Sequence, residues 1–306
     1  MTSPVARPPL AVLTTRQITA VSVGVAVVLI GLKAFALGAS GSVSILASLA
    51  DSGLDLIASL ATFYAVRWAA RPHDATHRHG HGKAEAMAAL VQAGLVFASA
   101  AFIGWEALMR IFDPYPVSGG SWAVGVVLIS IVLTGGLVWL QTRALKASGS
   151  MAVSADRAHY AADLASSVVV LIGVVSGAYL GAPGLDAAAG LVVAVWLFWG
   201  ALGVLREAGN QLLDREVPDA DRIALTTAVL ADPRVEGVHQ LRTRMSGTRL
   251  LAQMHIDLDP ALSFEASHTI VVEAERRIIA AFPDAEVLIH ADPRGARPAV
   301  PVSPWA

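Results

Sequence analysis

The sequence predicts an α-helical integral membrane bundle of six transmembrane helices, followed by a C-terminal cytoplasmic α+β domain of order αββαβ. Three observations carry this reading. Of the 306 residues, 55% are hydrophobic and only 15% charged, with a mean hydropathy of +0.60, a composition outside the soluble range. Six apolar runs, near 17 to 37, 43 to 67, 86 to 111, 121 to 142, 156 to 180 and 185 to 206, approach the ~20 residues that a bilayer demands of a helix. After Arg206 the sequence turns to mixed polar and apolar character with turn signals at Val217-Pro218-Asp219 and Asp232-Pro233-Arg234, where a folded domain outside the membrane is expected.

The first run follows Arg7 and Arg16 and is too long for a signal-peptide core, so it is expected to be a retained helix. Arg67, Arg71, Arg78, Lys83, Arg143, Lys146 and Arg206 fall on the same side as those two arginines, and the opposite loops carry almost no basic residues. The positive-inside rule then places both termini in the cytoplasm. Lys33 and Arg110 are the exceptions, expected near outer helix ends with their charges snorkelling to the interface. The expected organisation is a cytoplasmic segment 1–14, a six-helix domain 15–208, a cytoplasmic domain 209–293 and a disordered tail 294–306 with Pro298, Pro301 and Pro304. In the third part, hydrophobic periodicity predicts helices at 219–230 and 263–282 and strands at 235–244, 249–258 and 286–291.

Ionisable residues in the spans carry the chemistry. Asp51 and Asp55 stand one helical turn apart in the second run, and His159 and Asp163 repeat that spacing in the fifth. An i, i+4 pair shares one helix face. An ionised group within a span costs roughly 2.5–3.5 kcal/mol on insertion scales, so such groups face a pathway and have a partner. Three carboxylates and an imidazole complete a four-coordinate shell suited to Zn²⁺, and each ligand must lose its proton to bind. Metal and protons would therefore compete, which is the chemistry of antiport. Asp186 and Glu106, by contrast, are expected to be structural.

Two further histidine groups lie outside the spans. His73, Asp74, His77, His79 and His81 crowd the loop between the second and third runs, a composition that suits metal. In the expected cytoplasmic domain, strand alternation puts His255 opposite Met254 and Ile256, and His290 with Asp292 opposite Val287 and Ile289. With His239 and His268 these could gather around one or two cations. Cysteine is absent, which excludes thiolate sites and disulfides. A net charge of −2 gives no sign of nucleic acid as a partner, and no phosphate-binding Gly-Lys-Ser/Thr loop points to a nucleotide.

Gly41-Ser42-Val43-Ser44-Ile45-Leu46-Ala47-Ser48-Leu49-Ala50-Asp51-Ser52-Gly53-Leu54-Asp55 and His77-Arg78-His79-Gly80-His81-Gly82-Lys83-Ala84-Glu85 resemble signatures of the cation diffusion facilitator family. The resemblance continues through His159-Tyr160-Ala161-Ala162-Asp163, Leu241-Arg242-Thr243-Arg244 and Ile289-His290-Ala291-Asp292-Pro293, over residues 15 to 293, and is nearest to the bacterial YiiP/FieF-like zinc and iron efflux branch. It implies a homodimer in membrane lipid, with ferredoxin-like cytoplasmic domains, that exports Zn²⁺, Cd²⁺ or Fe²⁺ by proton antiport with alternating access. By the same resemblance Asp51, Asp55, His159 and Asp163 form the transport site, and Asp74, His77 and His81 a loop site. His239, His255, His268, His290 and Asp292 form a binuclear cytoplasmic site, and Lys83 with Asp214 a charge interlock at the dimer interface. His79 departs from the family pattern, where an aromatic residue is common, and could add a loop ligand.

Two other classes compete with a transporter. An intramembrane zinc hydrolase would need an open metal position, which four protein ligands close, and no His-Glu-x-x-His run is present. A membrane metal sensor would explain the cytoplasmic histidines but leave the intramembrane quartet without a purpose.

Overall fold

The structure, a computed structural model, describes residues 13–40, 43–112, 121–175 and 185–295. Nearly all of the expected N-terminal segment and Pro-rich tail, most of the loops opposite the basic side, and the side chain of Asp186 lie outside these. The chain divides into two compact units, Met1–Gly209 and Asn210–Ala306.

The first unit contains α1 (Thr15–Ser40), α2 (Val43–Ala69), α3 (Ala84–Phe112), α4 (Ser121–Ser148), α5 (Met151–Val175) and α6 (Leu185–Leu212, whose last turn crosses the division). Local chemistry sets several ends. Thr14 and Gln17 form a reciprocal cap ahead of α1: the Gln17 amide donates to Thr14 Oγ1 at 3.3 Å and the Thr14 amide to Gln17 Oε1 at 2.9 Å. Gly149, with φ 62°, ends α4 in the left-handed conformation that a side chain would disfavour. Ser150 then accepts from the Val153 amide at 3.3 Å, so α5 begins several residues before the expected start at 156.

Five helices, α1, α2, α3, α4 and α6, are long and apolar enough to cross a membrane by length and composition. The sixth, α5, carries Asp156, Arg157, His159 and Asp163 in its first half, which dilutes its apolarity. It is nonetheless the hub: α5 packs against α2, α3 and α4, and α1 packs against α2 and α4. Large apolar side chains such as Phe35, Val132, Val192 and Trp199 are exposed, as lipid-facing positions are.

Small residues bring α3 and α6 together. Ala86, Ala93, Ala100 and Ala107 on α3, and Ala187, Ala194, Ala201 and Ala208 on α6, recur every seven residues and are all buried. Without a hydrophobic drive between helices in lipid, close packing supplies the attraction, and small side chains permit it. A Cβ at Gly190 would stand 2.9 Å from that of Ala107, so no larger residue fits there without movement.

The second unit contains α7 (Asp219–Leu230), β1 (Gly237–Ser246), β2 (Arg249–Leu258), α8 (Phe264–Ala281) and β3 (Glu286–Pro293). Strand order is β1-β2-β3, the first pair antiparallel and the second parallel. The first strand starts two residues later than the periodicity predicts because the Val235 amide closes a turn onto the Asp232 carbonyl at 3.0 Å. Met254, Ile256 and Ile289 on one sheet face join Leu225 and Val229 of α7 and Ile270, Ala274 and Ile278 of α8 in a single core. Each large aliphatic side chain buried there contributes about 1.5–3 kcal/mol.

Candidate metal centres

Asp55 on α2 and His159 and Asp163 on α5 converge within the helical unit. His159 Nε2 lies 3.1 Å from Asp55 Oδ1 and 3.8 Å from Asp163 Oδ2, and ligand atoms of all three fall within 4.8 Å of one another. The Asp163 Oδ2 atom is buried yet accepts no hydrogen bond, and His159 Nδ1 is equally unpartnered. A divalent cation satisfies such a donor set, which is otherwise costly to bury. Asp51 stands outside this tight group, one turn along α2, but lines the same cavity of about 710 Å³.

Lys33 lines that cavity too, contrary to the expected snorkelling position. Its ammonium donates to Ser52 Oγ at 2.5 Å and to the Ser48 carbonyl at 3.1 Å, and the residue is 9% exposed. Packing of α1 against α2 turns Lys33 inward, where two polar partners on α2 replace the interface. Sequence reasoning therefore missed a cation beside the carboxylates; its place inside the first apolar run was the available signal.

A polar layer on α5 adjoins the site. Gln141 Nε2 donates to Asp156 Oδ2 at 2.8 Å and to Ser22 Oγ at 3.1 Å, and Gln92 Nε2 to Thr62 Oγ1 at 2.9 Å and to Asp156 Oδ1 at 3.4 Å. Tyr160, fully buried, donates to the Ser22 carbonyl at 3.2 Å and lies 2.7 Å from Ser59 Oγ. These bonds tie α5 to α1, α2, α3 and α4 and hold the rotation that presents His159. At the helix starts, Ser150 donates to Glu85 Oε2 at 2.6 Å and fastens α5 to α3.

Asp74, His77 and His81 form the loop group. Asp74 Oδ1 accepts from the His77 amide at 2.7 Å and from the Thr76 amide and hydroxyl at 2.8 Å each. The His77 amide first, then Thr76, hold this exposed carboxyl well below the usual range, so it stays ionised. Its Oδ2 faces His81 Nε2 at 3.2 Å, and the rings of His77 and His81 stand 4.6 Å apart. His81 is buried beside Trp68 with Nδ1 unpartnered. His79 stays outside the group.

The sheet assembles the third group. His239, His255 and His290 are register partners across all three strands, and Asp257 and Asp292 are partners two residues further on. His255 Nδ1 lies 2.8 Å from Asp292 Oδ2, His239 Nε2 3.5 Å from the same oxygen, and His290 Nε2 3.2 Å from Asp292 Oδ1. Borderline nitrogen and hard oxygen donors at these separations suit a zinc-like dication. Two placements differ from the expectation. His268 is exposed on α8, which covers the opposite, apolar face, so it does not join the imidazoles within this unit. Asp257, which strand alternation already puts beside His255, was not anticipated as a donor, yet its Oδ1 is 3.4 Å from His239 Nε2. Glycine at 237 leaves room for that carboxylate, because a Cβ would meet Asp257 Oδ2 at 2.5 Å.

Lys83 and Asp214 belong to different units. Asp214 Oδ2 pairs with Arg244 Nη1 at 3.0 Å. Elsewhere in the second unit, Asp232 is gripped by Arg234 at 2.6 Å and Arg277 at 3.3 Å, and the Arg234 guanidinium also pairs with Glu273. The Arg234 hydrogen bonds foremost depress the Asp232 carboxyl, and the Asp232 carboxylate foremost raises Arg234.

A lipid-embedded helical bundle with carboxylate and imidazole clusters defines a multi-pass membrane protein that handles divalent metal ions. Residues 19–213 match the family model described as a cation efflux transmembrane domain, and residues 217–294 that of a cation efflux protein, cytoplasmic domain. Among curated relatives, a cation-efflux pump FieF of Shewanella oneidensis is 41% identical over 89% of this chain and 92% of its own. FieF of Cronobacter sakazakii is 37% identical over 88% and 89%. Among solved structures, a nickel form of a MamM CTD variant is 27% identical, covering 25% of this chain and 99% of that one at a TM-score of 0.25. The chain belongs to the cation diffusion facilitator family, in its FieF-like branch. It is a cation-efflux transporter of the bacterial inner-membrane type, not an enzyme, and its cytoplasmic module is of a dimerising kind.

Proposed function

We propose that this transporter exports Zn²⁺, with Cd²⁺ and Fe²⁺ as cations that suit the same ligands, in exchange for protons by alternating access. Asp51, Asp55, His159 and Asp163 hold the transported ion. The observation that carries the reading is the convergence of Asp55, His159 and Asp163 within 4.8 Å beside a cavity in a helical bundle. An imidazole among carboxylates favours zinc-like ions over Mg²⁺ or Ca²⁺. Because each ligand binds metal only when deprotonated, protons entering from the far side displace the ion there, and metal captured on the cytoplasmic side expels protons. No covalent step is needed.

The functional division follows residues 15–208 for transport and 209–293 for cytoplasmic metal binding, with both termini cytoplasmic by the basic loops. Asp74, His77 and His81 would capture metal at the loop. His239, His255, His290 and Asp292, with His268 as an outlying candidate, would hold resident metal that joins two copies as a homodimer, and Lys83 with Asp214 would interlock near the membrane. Metal there neutralises the carboxylate and imidazole cluster and stiffens the sheet face.

The test is transport into sealed vesicles containing a zinc-responsive dye, with and without an imposed pH difference. Uptake should depend on the proton gradient and disappear in Asp163→Ala. Equal uptake without any gradient removes proton coupling, and full uptake by Asp163→Ala removes the quartet as the pathway.

A further inference from the structure

Lys33 has no part in the ligand set, yet it is the one lysine or arginine among the described residues lining the cavity that Asp51, Asp55, His159 and Asp163 share. A buried ammonium needs partners for its donors, and Lys33 has them: Ser52 Oγ at 2.5 Å and the Ser48 carbonyl at 3.1 Å. Both lie on the helix that carries Asp51 and Asp55, so the ammonium is tethered to the element that presents the carboxylates.

We infer that Lys33 is a built-in counter-cation of the transport site, a positioning residue that weakens the hold on the dication enough for its release. Three carboxylates bear three negative charges, and a dication with one ammonium neutralises them. Without the ammonium, the occupied site keeps an excess negative charge inside a low-dielectric bundle, and the metal leaves slowly. Conduction requires a site strong enough to fill and weak enough to empty. Lys33 moves the balance towards emptying.

This inference rests on the quartet as the transport site, and the experiment separates the two. Zinc uptake by proteoliposomes is followed for the parent, Lys33→Gln, Lys33→Met, Lys33→Arg and Asp163→Ala, with zinc affinity of each detergent-purified protein measured by competition with a chelating dye. Lys33→Gln keeps a donor for Ser52 without the charge. Both neutral variants should bind zinc about tenfold tighter, lower KM and lose about tenfold in kcat, while Lys33→Arg stays within a fewfold of the parent. Neutral variants that match the parent, or that bind zinc more weakly, overturn the counter-cation; so does Lys33→Arg behaving as they do. Should the neutral variants fail to fold, Lys33→Arg decides alone: parental affinity and KM support the charge, and a shift of either by tenfold rejects it. If Asp163→Ala binds and transports as the parent does, the quartet reading falls instead.

Discussion

Asp55 Oδ1 and His159 Nε2 meet at 3.1 Å across the α2–α5 contact, although 104 residues separate them in the chain. Neither has another charged partner as near among the described residues, and both are buried. Such a pair is stable only if a proton or a metal resolves its charge.

Asp55→Ala and His159→Ala should each reduce zinc kcat/KM by about 100-fold or more, since a lost ligand costs at least what loss of its supporting partners does. Stopped-flow dye fluorescence in vesicles measures it. Parental rates in either variant would exclude that residue from the pathway.

His255→Ala combined with His290→Ala should lower the bound metal per chain and weaken the dimer, read by elemental analysis and light scattering on the same sample. Asp257→Asn should weaken zinc binding at this site about tenfold, as an unexpected donor would. Unchanged metal content in Asp257→Asn would leave His239, His255, His290 and Asp292 as the donor set.

Asp232 provides a pH test in the cytoplasmic unit. Its carboxyl is depressed in the folded state, so its stabilisation is fully present above the unfolded carboxylate value of about 3.9 and is lost as pH falls through the lower folded value. The opening free energy of α7 and α8 in the full chain, from hydrogen exchange corrected for the intrinsic amide rate at each pH, should therefore hold steady from pH 8 to about 5 and fall in stronger acid. Asp232→Asn should raise exchange already at neutral pH and flatten the acid response. A variant with parental exchange at pH 7 would show that Arg234, Arg277 and Glu273 contribute nothing through Asp232.

Gly190→Leu should destabilise the bundle by about 1–3 kcal/mol, because a Cβ there already meets Ala107 at 2.9 Å. Thermal unfolding in detergent reports it, and Gly200→Leu, where a Cβ meets nothing within 4 Å, is the control. Equal stability of the two variants would mean that α3 and α6 do not pack as closely as described.

Hydropathy alone determined the six-helix order and the αββαβ module, since run length and alternation are local properties that a bilayer and a sheet impose directly. Spacing likewise put Asp51 with Asp55 and His159 with Asp163, because i, i+4 neighbours share a face whatever surrounds them. Tertiary packing decided what spacing cannot express. Lys33 reads as an interfacial lysine until α1 is rotated against α2, and only strand register sets Asp257 and Asp292 side by side. His268 shows the converse: composition groups it with the other histidines, but α8 lies over the apolar side of the sheet while the imidazole row occupies the other. Helix rotation and strand register come from contacts between elements distant in the chain, and no local pattern encodes them.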